Sequence, residues 1–394
     1  MRVDFYISNN NHHWHMMRPV MLALREKGVE VRLVSLCEFR RMASPIGNLE
    51  ALGLPYFILQ GLKFGGADTS TGKKGLGGNK APLRNFLRLL IWIILLRRSL
   101  IKANKLLPAM VVVPNDVAFP FDRICRWFSK KKIRFILFQE GIRFPLPNEV
   151  GLLNYGKNGA YRVFAWGEGS ANYFRKLGKE VVIVGNPRYD DIVNRPYAEE
   201  VMLIKAKYIK EKYALLFASN PIDDQGFCTH EEKIGLFISF LKGILPLIAE
   251  GNLTVLLRLH PREDENAFTK ALEDNHLLDK VTLVNEPPLF VLLKSVDACV
   301  ILASTVGMES IMMGTPIGVM GLKNYGHVFD YVEAGAALPL DSRYIDIEQV
   351  RKLIIEGKHV LHSAMNSYVA YHLSSIGRSS TTAADKLLEL LSTK

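Results

Sequence analysis

Val3-Asp4-Phe5-Tyr6-Ile7-Ser8, then Asn9 to His15, then a helical stretch, Gly28 and the apolar run Val29 to Leu36: this opening decides the fold. The first segment alternates like a strand. Asn9-Asn10-Asn11-His12-His13-Trp14-His15 is expected as a polar loop. Met16 to Lys27 is expected as a helix that Gly28 stops, and Val29 to Leu36 as the next strand. A strand–loop–helix–strand unit builds a parallel sheet through right-handed crossovers.

Further strands are expected at Tyr56–Leu59, Met110–Val113, Arg134–Phe138, Val163–Ala165 and Val181–Val184. They are apolar throughout, as strands covered by helices on both faces should be. Gly185-Asn186-Pro187-Arg188-Tyr189-Asp190 interrupts the rhythm and reads as a domain boundary. A second series runs through Tyr213–Ala218, Leu253–Leu259, Val281–Val284, Ala298–Leu302 and Pro316–Met320, and a helix from about Ser380 to Leu391 closes the chain. The expected architecture is α/β of GT-B type. Two doubly wound Rossmann-like domains, residues 1–185 and 186–379, face each other across a cleft, and 380–394 form a C-terminal helix. A length of 394 residues suits two cores better than one. Loops at the carboxyl ends of the strands are where ligands of such sheets sit.

Lys and Arg outnumber Asp and Glu by 50 to 39, a net charge of +11. That suits an anionic partner such as nucleotide phosphate, acidic glycan or anionic lipid. No helix-turn-helix, zinc-finger or RNP-type signature is present, so nucleic acid is not expected. Cys37, Cys125, Cys228 and Cys299 are scattered without a CxxC, which points to free thiols in a reducing cytoplasm. The N-terminus does not read as a signal peptide. The apolar run Leu89 to Leu96 falls well short of the ~20 residues that span a bilayer.

Two segments depart from the α/β rhythm. Lys63 to Ala81 is rich in Gly, Lys, Ser and Thr and is expected to be a mobile loop. Leu83 to Leu107 is expected as a long helix with Arg84, Arg88, Arg97, Arg98, Lys102 and Lys105 around an apolar middle that contains Trp92. Either this helix lies on an anionic membrane surface, or it packs on the sheet as an ordinary core helix.

The densest chemical signal is Ala298 to Pro316. A buried strand ends at Ala303, Ser304 and Thr305 make a turn, a short helix containing Gly307 and Glu309 follows, and Gly314 ends it. Hydroxyls with backbone N–H groups at a helix start can hold a phosphate, and Glu309 can accept from a ribose diol. The plainer alternative has Ser304 only capping the helix, with Glu309 answering as a capping box. Arg258-Leu259-His260-Pro261-Arg262 brings a histidine to a strand end, where it can donate to a phosphate or protonate a leaving group, with the two arginines adding positive field. In the first half, Gln139-Glu140-Gly141-Ile142-Arg143 follows a buried strand and places a carboxylate for general-base work, unless it is only a solvated turn. The histidine-rich first loop, with Asn10 and His15, and Arg143 read as an acceptor-side surface. No cysteine or carboxylate accompanies those histidines, so no metal is expected.

Together these motifs resemble the bacterial CMP-sugar-dependent glycosyltransferases, the sialyl-, polysialyl- and Kdo transferases of capsule and lipopolysaccharide assembly. The Gly185–Asp190 and Ser304–Pro316 blocks also resemble capsule transferases and nucleotide-sugar epimerases. The resemblance implies a metal-independent, cofactor-free transfer from a nucleotide-sugar donor, best a CMP-linked keto-acid, to a glycan or lipid-linked glycan. It also implies a cytoplasmic enzyme, for which attachment to the inner membrane face is one of the two alternatives left open above. By position it makes Glu140 the base, His260 the donor-phosphate contact or acid, and Ser304 and Thr305 the phosphate pair, with Glu309, Arg258, Pro261 and Gly307 beside the nucleotide. The family motif has two acidic residues where this chain has Gln139 and Glu140. An epimerase or hydrolase of UDP-GlcNAc 2-epimerase type and a glycerophosphate or ribitol-phosphate transferase are the alternatives.

Overall fold

The computed structural model describes residues 1–40, 42–59, 82–141 and 155–393, side chains at 40 and 82–89 excepted. The expected loop Lys63–Ala81 and the candidate Arg143 lie outside the described residues. The chain divides into two compact units, Met1–Asn194 with His372–Lys394, and Arg195–Tyr371. The boundary expected at 185/186 therefore falls inside the first unit, which also holds the last helix.

The first unit is built on β1 (Arg2–Ile7), β2 (Glu30–Ser35), β3 (Tyr56–Ile58), β4 (Met110–Val113), β5 (Phe135–Phe138), β6 (Arg162–Ala165) and β7 (Val181–Ile183). Their order is β3-β2-β1-β4-β5-β6-β7, every pairing parallel. The chain winds outward from β1 on one side and returns to β4 on the other. The loops after β1 and β4 thus leave in opposite directions, the arrangement that opens a ligand crevice. All four residues of β4 and of β5 are buried. Trp92, Phe121, Phe128 and Phe174 fill one layer against them.

The first helix spans His12–Glu26 and starts before the expected Met16. Asn9 Oδ1 accepts the backbone N–H groups of Asn11 and His12 at 2.9 and 3.0 Å, which turns the chain into the helix early. His12, His13 and His15 consequently stand on a rigid first turn and not on a loop.

The segment Gly185–Asp190 is no linker. Gly185 has φ +85°, and a Cβ there would lie 2.1 Å from Ser374 O. Asp190 accepts the N–H groups of Ser379 and Ser380 at 2.9 and 2.7 Å, so it caps the helix Ser379–Ser392. That helix packs against His12–Glu26 within the same unit.

In the second unit β8 (Tyr213–Ala218), β9 (Leu253–Arg258), β10 (Thr282–Leu283), β11 (Ala298–Ile301), β12 (Ile317–Met320) and β13 (Ala337–Leu340) form a parallel sheet in the order β10-β9-β8-β11-β12-β13. Its switch point lies between β8 and β11. β13 lies beyond the strands expected from sequence, and Pro339 stands within it. Proline is tolerated there because β13 is an edge strand.

Candidate functional site

At the carboxyl edge of the first sheet, residues from the first helix and from the loop after β4 meet on Glu140, just past β5. Its Oε2 accepts from His13 Nε2 at 2.8 Å and its Oε1 from Asn115 Nδ2 at 2.6 Å. Neither donor is ambiguous. Ser8 N–H donates to His13 Nδ1 at 3.2 Å, so the ring proton sits on Nε2. Asn115 Oδ1 accepts from Val117 and Ala118 N–H at 2.8 and 2.7 Å, which leaves its NH2 facing Glu140. The carboxylate remains 26% exposed, enough to meet a substrate.

His12 donates from Nε2 to the backbone carbonyl of Glu140, and Arg188 Nη1 lies 3.4 Å from its Nδ1. Burial, with His13 and Arg188 adding, holds the His12 pKa down at about 4. His12 is therefore a neutral strut, and Arg188 the local cation. Ser8 Oγ and Asn10 Oδ1 are buried and lack a partner among the described residues. His15 points to solvent on the same helix.

The other described carboxylates along this edge are engaged elsewhere. Asp116 accepts the N–H groups of Gly156 and Asn158 at 2.9 and 3.1 Å. Glu168 pairs with Arg175, Asp190 caps a helix and Asp191 pairs with Arg18. Gln139, which stands where the resemblance has its first acid, is fully buried. Its Nε2 donates to Gly141 O and Ser170 Oγ at 2.8 and 2.7 Å, and its Oε1 accepts from Trp166 N–H at 2.9 Å. An acid could not supply those two donations, so the amide suits this scaffold position.

In the second unit the switch-point loops carry Asn220 after β8 and Ser304 after β11, tied by Asn220 Nδ2 donating to Ala303 O at 2.6 Å. The expected phosphate turn is largely self-satisfied. Ser304 Oγ accepts from Val306 N–H at 3.2 Å, Ser304 O from Gly307 N–H at 3.3 Å, and Tyr331 OH from Met308 N–H at 3.0 Å. The Ser304 hydroxyl proton and exposed Thr305 remain as contacts for a ligand, and Glu309 is 8% exposed. Gly307 serves packing: a Cβ there would lie 2.7 Å from Ile301 Cδ1 and from the Tyr331 ring. Arg258 is likewise structural, donating to Val284 O and Pro287 O at 3.2 and 2.7 Å.

His260 follows β9, and exposed Pro261 comes next. Arg262 N–H donates to His260 Nδ1 at 3.2 Å, so Nε2 carries the proton and can donate. Its loop is anchored by Glu263, which accepts from His260 N–H and Ser219 Oγ at 2.8 Å each and from Lys233 Nζ at 3.0 Å. Lys233 also bonds Asp223 at 2.8 Å. Sequence reading missed the triad of Lys233, Asp223 and Glu263, and also Asn115 and Asn220. The one cue was Lys233, a charge inside an otherwise apolar helix face. A cavity of about 770 Å³ opens past β12 and β13, lined among others by Phe227, His327 and Lys323, and none of the expected nucleotide residues borders it. Among the described residues no three His, Cys, Asp or Glu side chains gather as metal ligands.

No protein-family model and no curated protein matches the sequence. The fold is shared with solved structures. The UDP-GlcNAc 2-epimerase from Neisseria meningitidis bound to UDP-GlcNAc superposes with TM-score 0.65 at 17% identity, covering 99% of this chain and 100% of that one. The UDP-GlcNAc 2-epimerase from Methanocaldococcus jannaschii gives 0.61 at 15%, over 99% and 100%. A calicheamicin glycosyltransferase gives 0.58 at 14%, over 100% and 98%. The two parallel-sheet units are thus those of GT-B glycosyltransferases and nucleotide-sugar epimerases. Nothing in these comparisons points to transfer from a CMP-linked keto-acid.

Proposed function

We propose that this chain is an enzyme acting on a nucleotide-linked sugar, with Glu140 as its base. The observation that carries this reading is a carboxylate whose two oxygens are bonded by two oriented donors, at the switch-point edge of a parallel sheet. On this reading Glu140 removes the proton of an acceptor hydroxyl or water. The oxygen attacks the sugar C1, the C1–O bond to phosphate breaks, and its electron pair leaves with the nucleotide. Within the second unit, His260 Nε2, Thr305 and the Ser304 hydroxyl are the donors offered to a nucleotide phosphate, and Glu309 the acceptor offered to a ribose. The net charge of +11 suits such a polyanion. The donor class proposed is a UDP-N-acetylhexosamine, the ligand type of the Neisseria meningitidis structure.

A second reading, epimerisation at the sugar C2, is favoured by the fold likeness to UDP-GlcNAc 2-epimerases. Inverting a carbon calls for proton removal on one face and delivery on the other. The commitments of Asp116, Glu168, Asp190 and Asp191 leave Glu140 without a second carboxylate among the described residues of this edge. One base fits transfer or hydrolysis better. Incubation with UDP-GlcNAc in deuterated water, followed by NMR, separates the chemistries. UDP release without deuterium at C2 supports a single base acting on an O–H nucleophile, whereas a C2 epimer carrying deuterium establishes the second reading. A thermal-shift panel of UDP, CDP, CMP and GDP tests the shared premise, since a ligand at a hundredfold excess over Kd stabilises by about 2.7 kcal/mol. No shift with any nucleotide sinks both.

A further inference from the structure

The helix Pro82–Ala103 has two faces of different character. Its inner face buries Trp92, Leu96, Leu100 and Ala103, with Trp92 fully enclosed against Phe39 and Phe119. Of the two alternatives read from sequence, Trp92 itself fits core packing: the tryptophan is fully buried. The outer face is also apolar. Leu90, Ile91, Ile94 and Ile101 are 40%, 49%, 52% and 53% exposed. At 100° per residue, Leu90, Ile94 and Ile101 fall in one stripe with Ile91 at its margin. A helix that already buries one apolar face in the core has no folding reason to carry a second.

Cations share that outer face. Arg97, Arg98, Lys102 and Lys105 are all exposed, and none has an ion pair among the described residues. No Asp or Glu occurs anywhere from Pro82 to Leu107. Aliphatic side chains beside cations that have no ion pair among the described residues complement a surface that is apolar below and anionic above. No described helix is long and apolar enough to cross a membrane.

We propose that the outer face of Pro82–Ala103 docks the protein on an anionic lipid bilayer, the aliphatic side chains entering the acyl boundary and the cations meeting lipid phosphates. The surface is independent of the chemistry assigned to Glu140. Flotation of the full chain with phosphatidylcholine vesicles, and with vesicles containing phosphatidylglycerol, tests it at low and high salt. Binding is expected to the phosphatidylglycerol vesicles alone and to fall with salt. Arg98→Gln with Lys102→Gln lowers the partition coefficient by about thirtyfold, from about a fivefold contribution per cation. Ile94→Asp with Ile101→Asp abolishes binding. All four positions are exposed, so melting temperatures stay near wild type and confirm folded variants. Equal binding to neutral vesicles, no binding to either, or binding indifferent to both double substitutions overturns the proposal. So does a concentration-dependent dimer that Ile94→Asp dissociates, because the occupant is then a second copy.

Discussion

His13 donates its Nε2 proton to Glu140 Oε2 across 2.8 Å, and it does so because Ser8 N–H occupies the other ring nitrogen. The two side chains come from β1's following helix and β5's following loop, far apart in sequence and joined only by the sheet order. A histidine in a set tautomer orients the carboxylate.

Glu140→Gln is expected to keep nucleotide affinity and lower turnover by about 10²–10⁴-fold, the range for general-base loss. His13→Ala removes one charge-assisted donor, a loss of about 1.5–3 kcal/mol, and should lower kcat more than it changes KM. Steady-state kinetics on both folded variants check this. A fully active Glu140→Gln protein would falsify the assignment.

His12 makes the first unit acid-sensitive. Its pKa is about 4 in the fold against 6.5 for an ordinary histidine. Between those values the unfolded chain binds a proton that the native chain does not, so stability falls as pH drops through that window. His12→Gln should flatten that slope in denaturant titrations run across the same pH range. An unchanged slope would show that His12 does not carry it.

Lys233 is 2% exposed between Asp223 and Glu263. Burial pulls its pKa down, and the hydrogen bonds to the two carboxylates outweigh that and leave it raised. Lys233→Met leaves two carboxylates without their cation and should destabilise the protein by about 3–5 kcal/mol, with nucleotide affinity falling as the His260 loop loosens. Adding Glu263→Gln should recover part of the stability. Asp223 is lowered by Lys233 and His230 against the opposing effect of burial, so its share of stability vanishes as pH falls below the usual carboxylate range. Chemical denaturation of the single and double variants decides whether the triad is coupled.

Gly307→Ala should destabilise by about 1–3 kcal/mol through overpacking, because the new methyl meets Ile301 and Tyr331 at 2.7 Å. If Gly307 served close phosphate approach instead, the variant would keep its melting temperature and lose only nucleotide affinity.

Gln139→Glu restores the acidic pair of the resembled transferases. Here it should cost about 1–3 kcal/mol and add no activity, since Gly141 O and Ser170 Oγ lose their donor inside the core. A more active, equally stable variant would make position 139 the base.

The alternation of Val3 to Ser8, the stop at Gly28 and the solid apolar strands Met110–Val113 and Ala298–Ile301 were legible in sequence, because strand burial and helix termination depend on neighbours along the chain. Hence two parallel α/β units, and Glu140 and His260 at strand ends, are legible in the chain itself. Tertiary structure alone decided which partners those residues have. Whether Glu140 is held by His13 and Asn115, or Asp116 is consumed by Gly156 and Asn158, depends on which strands lie side by side, and strand order leaves no trace in local periodicity. The same holds for Gly185–Asp190, which looks like a linker until Asp190 meets the far end of the chain at Ser379. Composition showed that the helix from residue 82 is apolar and basic. Only packing could sort Trp92 into the core and Ile94 to the outside, because a helix with two apolar faces gives sequence periodicity no single direction.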